Sequence, residues 1–421
     1  MNRILKFFYV GMLTILVLSG CKKFLDVRPS NVDQINPNTV SDLELLLNNA
    51  ALAQPNYLLA DLVTDNVQLS DQILQIGGSS YIVNAYLWAK DVWTPGDDDY
   101  MYNNSYSSIL QVNVVLAKID NAREGTAGRK DIVRAQAKIN RAYYYLQLVN
   151  LYGKHYQTAT ASTDLAVPLV VYPDATAKPA RATVQAIYDL ILADLNDAIN
   201  TPALPDFKVD VIRPYKAAAY ALLARTYLFM GDYEKALAAA DSALRIKSTI
   251  LDYRTFSFVS QGDLSQGVNN KPITLKAQET NPEALLSRIA TDFTFFINFN
   301  QTFYCSKELE TLLGAKDLRF LYNFYKTGSN TFSRPPSFRG GSETTMKMLF
   351  NYGIDVPEMM LTKAECLARR GQAAEAMKLV NELRVYRFKT ADYVPLQATD
   401  GEAALRIVLE ERRRELFLHG G

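Results

Sequence analysis

The chain has 421 residues, with 45 basic and 44 acidic side chains and a formal net charge of +1. That balance leaves no electrostatic footprint for nucleic acid, so no nucleic-acid partner is expected. Two histidines, His155 and His419, cannot build a multi-histidine metal site, and no zinc motif is present.

Arg3 and Lys6 head an uncharged, mostly apolar stretch from Phe7 to Leu18, which Ser19, Gly20 and Cys21 follow. The stretch is too short to span a bilayer and reads as a secretory signal over residues 1–20. Small residues followed at once by a cysteine are the pattern of a bacterial lipoprotein. The Cys21 thiol would carry diacylglycerol and its freed amine an acyl chain such as palmitate, each buried CH2 contributing about 0.8 kcal/mol to membrane anchoring. Loss of Arg3 and Lys6 with the signal takes the net charge from +1 to −1. Cys305 and Cys366 could form one disulfide, but Cys366 sits in a helical pattern beside Ala364 and Leu367 and reads as a buried free thiol.

Residues 22–31 read as an extended polar tether. Val40 to Ala53 predicts a helix, with Ser41 as its cap and Asp42 and Glu44 at its positive end. From Tyr81 to Tyr106 the helical pattern breaks: Trp88, Trp93 and five tyrosines crowd around WTPGDDD, whose Pro95-Gly96 carries turn chemistry. Helical spacing returns over Ser107–Asn121, Asp131–Tyr152 and Val184–Ile199. Tyr143, Tyr144 and Tyr145 point three ways around their helix, so at least one faces the core and one can reach the surface.

Arg213 to Ile246 reads as two helices joined at Met230-Gly231-Asp232, with Ala224, Ala236 and Ala243 where the helices must approach closely. This matches the tetratricopeptide pattern, with Gly231 at the turn and Ala236 five residues on; Ser248 stands where a closing proline is usual. A weaker copy spans Pro357 to Arg387, with Gly371 at its turn and Ala376 five residues later. The expected fold is mainly all-α: a tetratricopeptide-like helical-repeat scaffold with units near 107–153, 184–246 and 357–387. Two loop-rich insertions, 54–106 and 249–352, would present a recognition surface on that frame.

Several segments together carry a family resemblance. They are KKFLDVRPS after Cys21, RAQAKINRAYYYLQLVNLYG from Arg134 to Gly153, GDYEKALAAAD from Gly231, KAECLARRG and NELRVYR between Lys363 and Arg387, and LEERRRELFLHG from Leu409. In this order they resemble the SusD/RagB outer-membrane lipoproteins, over nearly the whole chain. The sequence departs from the family pattern at Gln136, where a glutamate is usual, and at Asn140, where a leucine is usual. It also ends at Gly421 within the terminal motif, so that either the sequence is truncated or the fold lacks part of its closing layer, and the last helix is expected to lose partners for Leu416 and Leu418.

The resemblance implies one SusD-like domain over residues 21–421, lipid-anchored at the outer membrane and facing the exterior. It would capture oligosaccharide, or peptide in some members, for a SusC-type TonB-dependent transporter, with no cofactor and no bond cleavage. A protein-binding scaffold without a small ligand is the alternative, and no carboxylate pair stands in a context that marks a glycosidase.

Sugars present flat C–H faces with hydroxyl rims, so a binder needs exposed aromatic planes beside amides or carboxylates. Trp88, Trp93, Tyr100 and Tyr102, with Asp97, Asp99 and Asn104, supply both in one segment. Trp93 and Tyr100 lead this set, whereas Trp88 and Tyr86 read better as core residues that pack the loop. Asp97-Asp98-Asp99 reads as a solvated acidic turn rather than a calcium loop, since Met101 occupies a ligand position. Glu410 to Glu415 reads as a solvated or inter-helix ion-pair face.

Overall fold

Alanine at helix crossings lets neighbouring helices come close, and from residue 100 onward the chain uses this repeatedly. A computed structural model describes residues 37–49, 52, 58–69, 71–75, 81–176, 178–210, 212–258, 268–269, 281–288, 303–327, 330–333 and 351–417. The signal, Cys21 and the tether lie outside the described residues. Residues 39–421 cluster as one unit.

Ten helices carry the description: α1 Val40–Leu47, α2 Tyr81–Tyr86, α3 Tyr100–Lys118, α4 Ala127–Tyr152, α5 Val184–Ile199, α6 Lys216–Met230, α7 Tyr233–Ile246, α8 Val356–Arg369, α9 Ala373–Arg384 and α10 Gly401–Glu415. Each of α3 to α7 packs on the next, α7 packs on α8, and α8 packs on both α9 and α10. Among the described residues, strands occur only in two-stranded antiparallel ladders. One pairs Val67–Leu69 with Phe303–Cys305, and another pairs Ile354–Asp355 with Ala284–Leu286.

The two repeat hairpins turn in the same way. At the end of α6, Gly231 takes φ +74°, its N–H donates to Leu228 O at 3.0 Å, and the next N–H, from Asp232, reaches back to Tyr227 O at 2.9 Å. At the end of α8, Gly371 has φ +78°, with Gly371 N to Ala368 O and Gln372 N to Leu367 O both at 2.9 Å. Both are Schellman turns, in which a left-handed residue satisfies carbonyls that the helix end would leave bare. Gly401 at the start of α10 lies against the second turn. A Cβ there would stand 2.6 Å from Ala368 O and 2.8 Å from the Gly371 Cα.

α4 is the centre of the fold. Residues 135–137 and 139–149 are buried on every side, and Tyr143, Tyr144 and Tyr145 all lie inside. None of the three reaches the surface, against expectation, because each hydroxyl finds a backbone carbonyl: Tyr352 O at 2.8 Å, Leu52 O at 2.9 Å and Val170 O at 2.9 Å. A buried hydroxyl needs such a partner, and this helix is enclosed well enough to supply three. Arg141 pairs with Asp194 of α5 through two bonds of 2.7 and 2.9 Å, and Arg225 of α6 pairs with Glu358 of α8 at 2.7 and 2.5 Å.

Other departures have local causes. α1 is capped by Thr39 rather than Ser41: Thr39 Oγ1 accepts from Asp42 N while Asp42 accepts from Thr39 N, a reciprocal capping box. The helix predicted from Ser107 starts instead at Tyr100, where Asp99 caps it. The 249–352 insertion includes helices at Lys307–Leu313 and Leu318–Asn323, capped by Ser306 and Asp317, where no helical period was expected. Cys305 and Cys366 are both buried free thiols.

Of the two readings of the charged string of α10, the inter-helix ion-pair face is the one observed: Glu411 and Glu415 are buried against arginines of other segments. Glu415 accepts from Arg319 Nη1 and Arg387 Nη2, both at 2.5 Å. Glu411 accepts from Arg384 at 2.7 Å and Arg414 at 3.0 Å, and meets Arg319 through charge contact. Arg387 also reaches Glu283 at 3.1 Å and Leu251 O at 2.7 Å. Burial pushes the Glu415 carboxyl upward, but Arg387 and Arg319 overcome it and hold it at about 2. The network ties α9, α10 and the 283 and 317–319 segments together. Leu416 is buried, contrary to the expectation that it lacks partners, and Leu418 lies outside the described residues.

Candidate functional site

The segment from Tyr81 to Asn104 forms its own small apolar cluster, distinct from the main core. Val83, Ala85 and Met101 are buried with Leu59, Leu62, Val67 and Leu69, and Val92 and Trp93 pack onto them. Leu59 N donates to Met101 Sδ at 3.4 Å across the cluster.

α2 ends in a turn closed like those at Gly231 and Gly371. Trp88 N donates to Ala85 O at 3.0 Å, and Ala89 N reaches back to Asn84 O at 2.8 Å. The left-handed position that glycine fills in the repeats is filled here by Trp88, at φ +54°. For an L-residue this region costs about 1–2 kcal/mol, because Cβ crowds the carbonyl. Packing does not repay that cost, since the indole is 75% exposed, beside Leu87 at 61%. Strain of this kind is retained where the surroundings over-determine it, and it concentrates at functional positions.

Those surroundings are well defined. Asn84 Nδ2 donates to Val92 O at 3.1 Å, bracing the loop beyond Trp88 from within. Trp93 stacks on Tyr81 at 4.6 Å with 21° between planes. Asp97 Oδ2 accepts from Thr94 N at 2.8 Å and Thr94 Oγ1 at 2.6 Å, and these bonds hold its carboxyl below the usual range. Asp99 caps α3 through Tyr102 N at 3.0 Å.

The positions of the candidate residues follow. Trp88 is the exposed indole and Trp93 the half-buried, stacked one, which reverses the order expected from sequence. Tyr100, the first residue of α3, is 57% exposed. Asn104 and Asp97 are exposed, whereas Tyr102 is half-buried between Tyr106 at 4.7 Å and Tyr152 at 5.3 Å. The Asp triple divides its tasks, with Asp97 and Asp99 bound locally and Asp98 in solvent. Sequence reasoning missed Leu87 and Asn84. The exposed partner of an indole and the amide bracing its loop have no motif, and only the backbone reveals them.

A pocket on the α4–α6 seam is lined by Tyr143, Gln147, Asn150, Leu222, Arg225 and Phe229. It measures about 220 Å³ including its open mouth, small for a sugar chain. The exposed aromatic residues of the 81–104 segment, Trp88 and Tyr100, hereafter the shelf, are therefore the better candidate. Among the described residues there is no group of three or more acidic, histidine or cysteine side chains placed to hold a metal, and no helix long and apolar enough to cross a membrane.

Comparison with known proteins bears on the whole chain. The family model described as "Starch-binding associating with outer membrane" matches residues 23–228, and the model of the SusD family matches residues 315–421. No curated protein matches the chain. Among solved structures, a SusD superfamily protein from Bacteroides thetaiotaomicron aligns with TM-score 0.70 and 21% identity, over 91% of this chain and 87% of its own. One from Bacteroides fragilis aligns with TM-score 0.70 and 22% identity, over 91% and 88%. A SusD-like carbohydrate binding protein from Bacteroides vulgatus gives TM-score 0.65 and 18% identity, over 91% and 82%. At these identities the structures establish the fold, a mainly helical, repeat-like frame. With two family models matching most of its length, the chain belongs to the SusD/RagB family.

Proposed function

We propose that the protein is a cell-surface lipoprotein, anchored through Cys21 at the outer membrane. It would capture oligosaccharide or polysaccharide on the Trp88 shelf and deliver it to a SusC-type TonB-dependent transporter. The observation that carries this reading is Trp88: a strained backbone position holds an indole in solvent. Tyr100, Asn104 and Asp97 stand in the same segment. An indole offers a flat apolar face to sugar C–H groups, while amide and carboxylate groups bond the hydroxyl rim. The outer-membrane wording of the matching family model supports the location, and the sugar-binding description of a structural relative supports the ligand class. Binding, not bond cleavage, is the task such a shelf performs.

The test is retention of the protein from Lys22 onward on immobilised polysaccharides and peptides, with Trp88→Ala and Trp93→Ala alongside and product sugars assayed. Retention on a glycan, lost in folded Trp88→Ala and without cleavage, is expected. Retention only on peptides would move the ligand class, and unchanged retention in Trp88→Ala would remove the shelf from the site.

A further inference from the structure

Two tyrosine hydroxyls rooted in the scaffold end on carboxylates of the aromatic segment and its cluster. Tyr152 is the last residue of α4, and its hydroxyl lies 2.9 and 2.7 Å from the two oxygens of Asp99. Asp99 uses one of those same oxygens to cap the helix that begins at Tyr100. Tyr352, in the segment that leads into α8, donates to Asp61 Oδ2 at 2.9 Å. Asp61 lies in the helical turn Leu58–Leu62, and Leu59 and Leu62 belong to the apolar cluster under the shelf.

The scaffold ends of both contacts are held. Tyr143 of α4 donates to Tyr352 O at 2.8 Å, and Gln147 Nε2 donates to the Tyr143 hydroxyl at 2.5 Å. The Tyr152 ring meets Tyr102 edge-on at 5.3 Å and 90°. The cluster beneath the shelf is small beside the main core, so apolar burial alone anchors it weakly. Bonds that bridge the two therefore matter more than bonds inside either, and the bond from Tyr152 to the Asp99 carboxylate is of the kind that is stronger than one between neutral groups.

We propose that Tyr152 and Tyr352 are positioning residues, whose hydroxyls fix the Trp88–Tyr100 shelf to the helical scaffold without touching ligand. The proposal rests on the reading of that shelf as the ligand surface. Tyr152→Phe and Tyr352→Phe each keep the ring and remove only the donor.

Amylopectin is the probe, with mannan and a casein digest run in parallel. Each variant is expected to weaken retention about fivefold. Amide exchange should quicken about tenfold at Tyr102 and Asn103 in Tyr152→Phe, and across residues 81–86 in Tyr352→Phe, while α6 and α7 keep their protection. In a Tyr100→Ala background, Tyr152→Phe should have no further effect on retention. In the Trp88→Ala background, where Trp93 is the remaining tryptophan, Tyr352→Phe should make its fluorescence about twice as quenchable by acrylamide.

Unchanged exchange, or faster exchange with unchanged retention, overturns the proposal, the second by showing clasps that serve structure alone. If Trp88→Ala abolishes retention while both phenylalanine variants match the parent, the positioning role fails and the shelf stands. If Trp88→Ala and Tyr100→Ala retain the probes as the parent does, or the parent binds none of them, the shelf falls and the positioning role with it.

Discussion

The turns at Gly231 and Trp88 share one hydrogen-bond scheme and serve opposite ends. In both, an N–H three residues on and another five residues on close the helix, and a left-handed residue makes the closure possible. In the repeat hairpin that residue is glycine, and the turn serves packing alone. In the aromatic segment it is tryptophan, and the turn serves display. The same backbone geometry thus serves both regions, and on the proposed reading the side chain placed on it separates the region built for stability from the one built for contact.

The surest way to break this division is to attack the scaffold's buried charges. Glu411→Ala takes from buried Arg384 its carboxylate and from Arg319 one of three, and should cost about 3–5 kcal/mol in urea unfolding. Glycan retention per folded molecule should be unchanged; if it drops as steeply, the two regions are not separable.

Two buried carboxyls, Asp61 under the shelf and Glu415 in the scaffold, should also respond to pH with opposite sign. Burial raises the Asp61 carboxyl from its ordinary 3.8 to about 7, against the pull of Tyr352. The fold prefers its protonated form, so that contribution is fully present below pH 4 and is lost as pH rises to about 7. Its upper limit is on the order of 4 kcal/mol. Glu415 runs the other way: its contribution is present above 4.5 and is lost as pH falls toward 2. Asp61→Asn should flatten part of the decline between pH 4 and 7, with Asp355 and Glu283, also raised by burial, retaining the rest. A slope identical to the parent's would show that Asp61 is ionised in the fold.

Gly401→Ala places a methyl group against backbone atoms of the second repeat turn and should destabilise by about 1–3 kcal/mol, leaving retention intact. The smallest effect is the sharpest. Trp88→Gly relieves left-handed strain, less the added freedom of the unfolded chain, and should stabilise by about 1 kcal/mol while abolishing glycan retention. Gly371→Ala should destabilise by about the same amount. Destabilisation by Trp88→Gly would mean that the indole is there for packing.

The repeat units were legible because glycine and alanine at fixed spacing report a backbone requirement directly, and α5 runs from Val184 to Ile199 as its periodicity predicts. The start of α3 was hidden because Asp99 caps it from within an acidic triple that resembles a turn. Trp88 was misjudged because left-handed turns are sought by their glycine, and nothing in the sequence marks a tryptophan that takes its place. For Glu411 and Glu415 the choice between a solvated face and inter-helix ion pairs was not legible, because spacing along one helix counts only local partners. Arg319, Arg384 and Arg387 lie 27 to 96 residues away.

Tyr143, Tyr144 and Tyr145 seize three distant segments by their main-chain carbonyls. A carbonyl is the same whichever residue bears it. The hub therefore grips its loops without reading their side chains, and positions 52 and 170 are free to mutate without loosening their mooring, whereas Tyr352 is bound a second time through its own hydroxyl on Asp61. Such a frame lets a lineage rewrite its contact surfaces for new prey while inheriting the means of holding them unchanged.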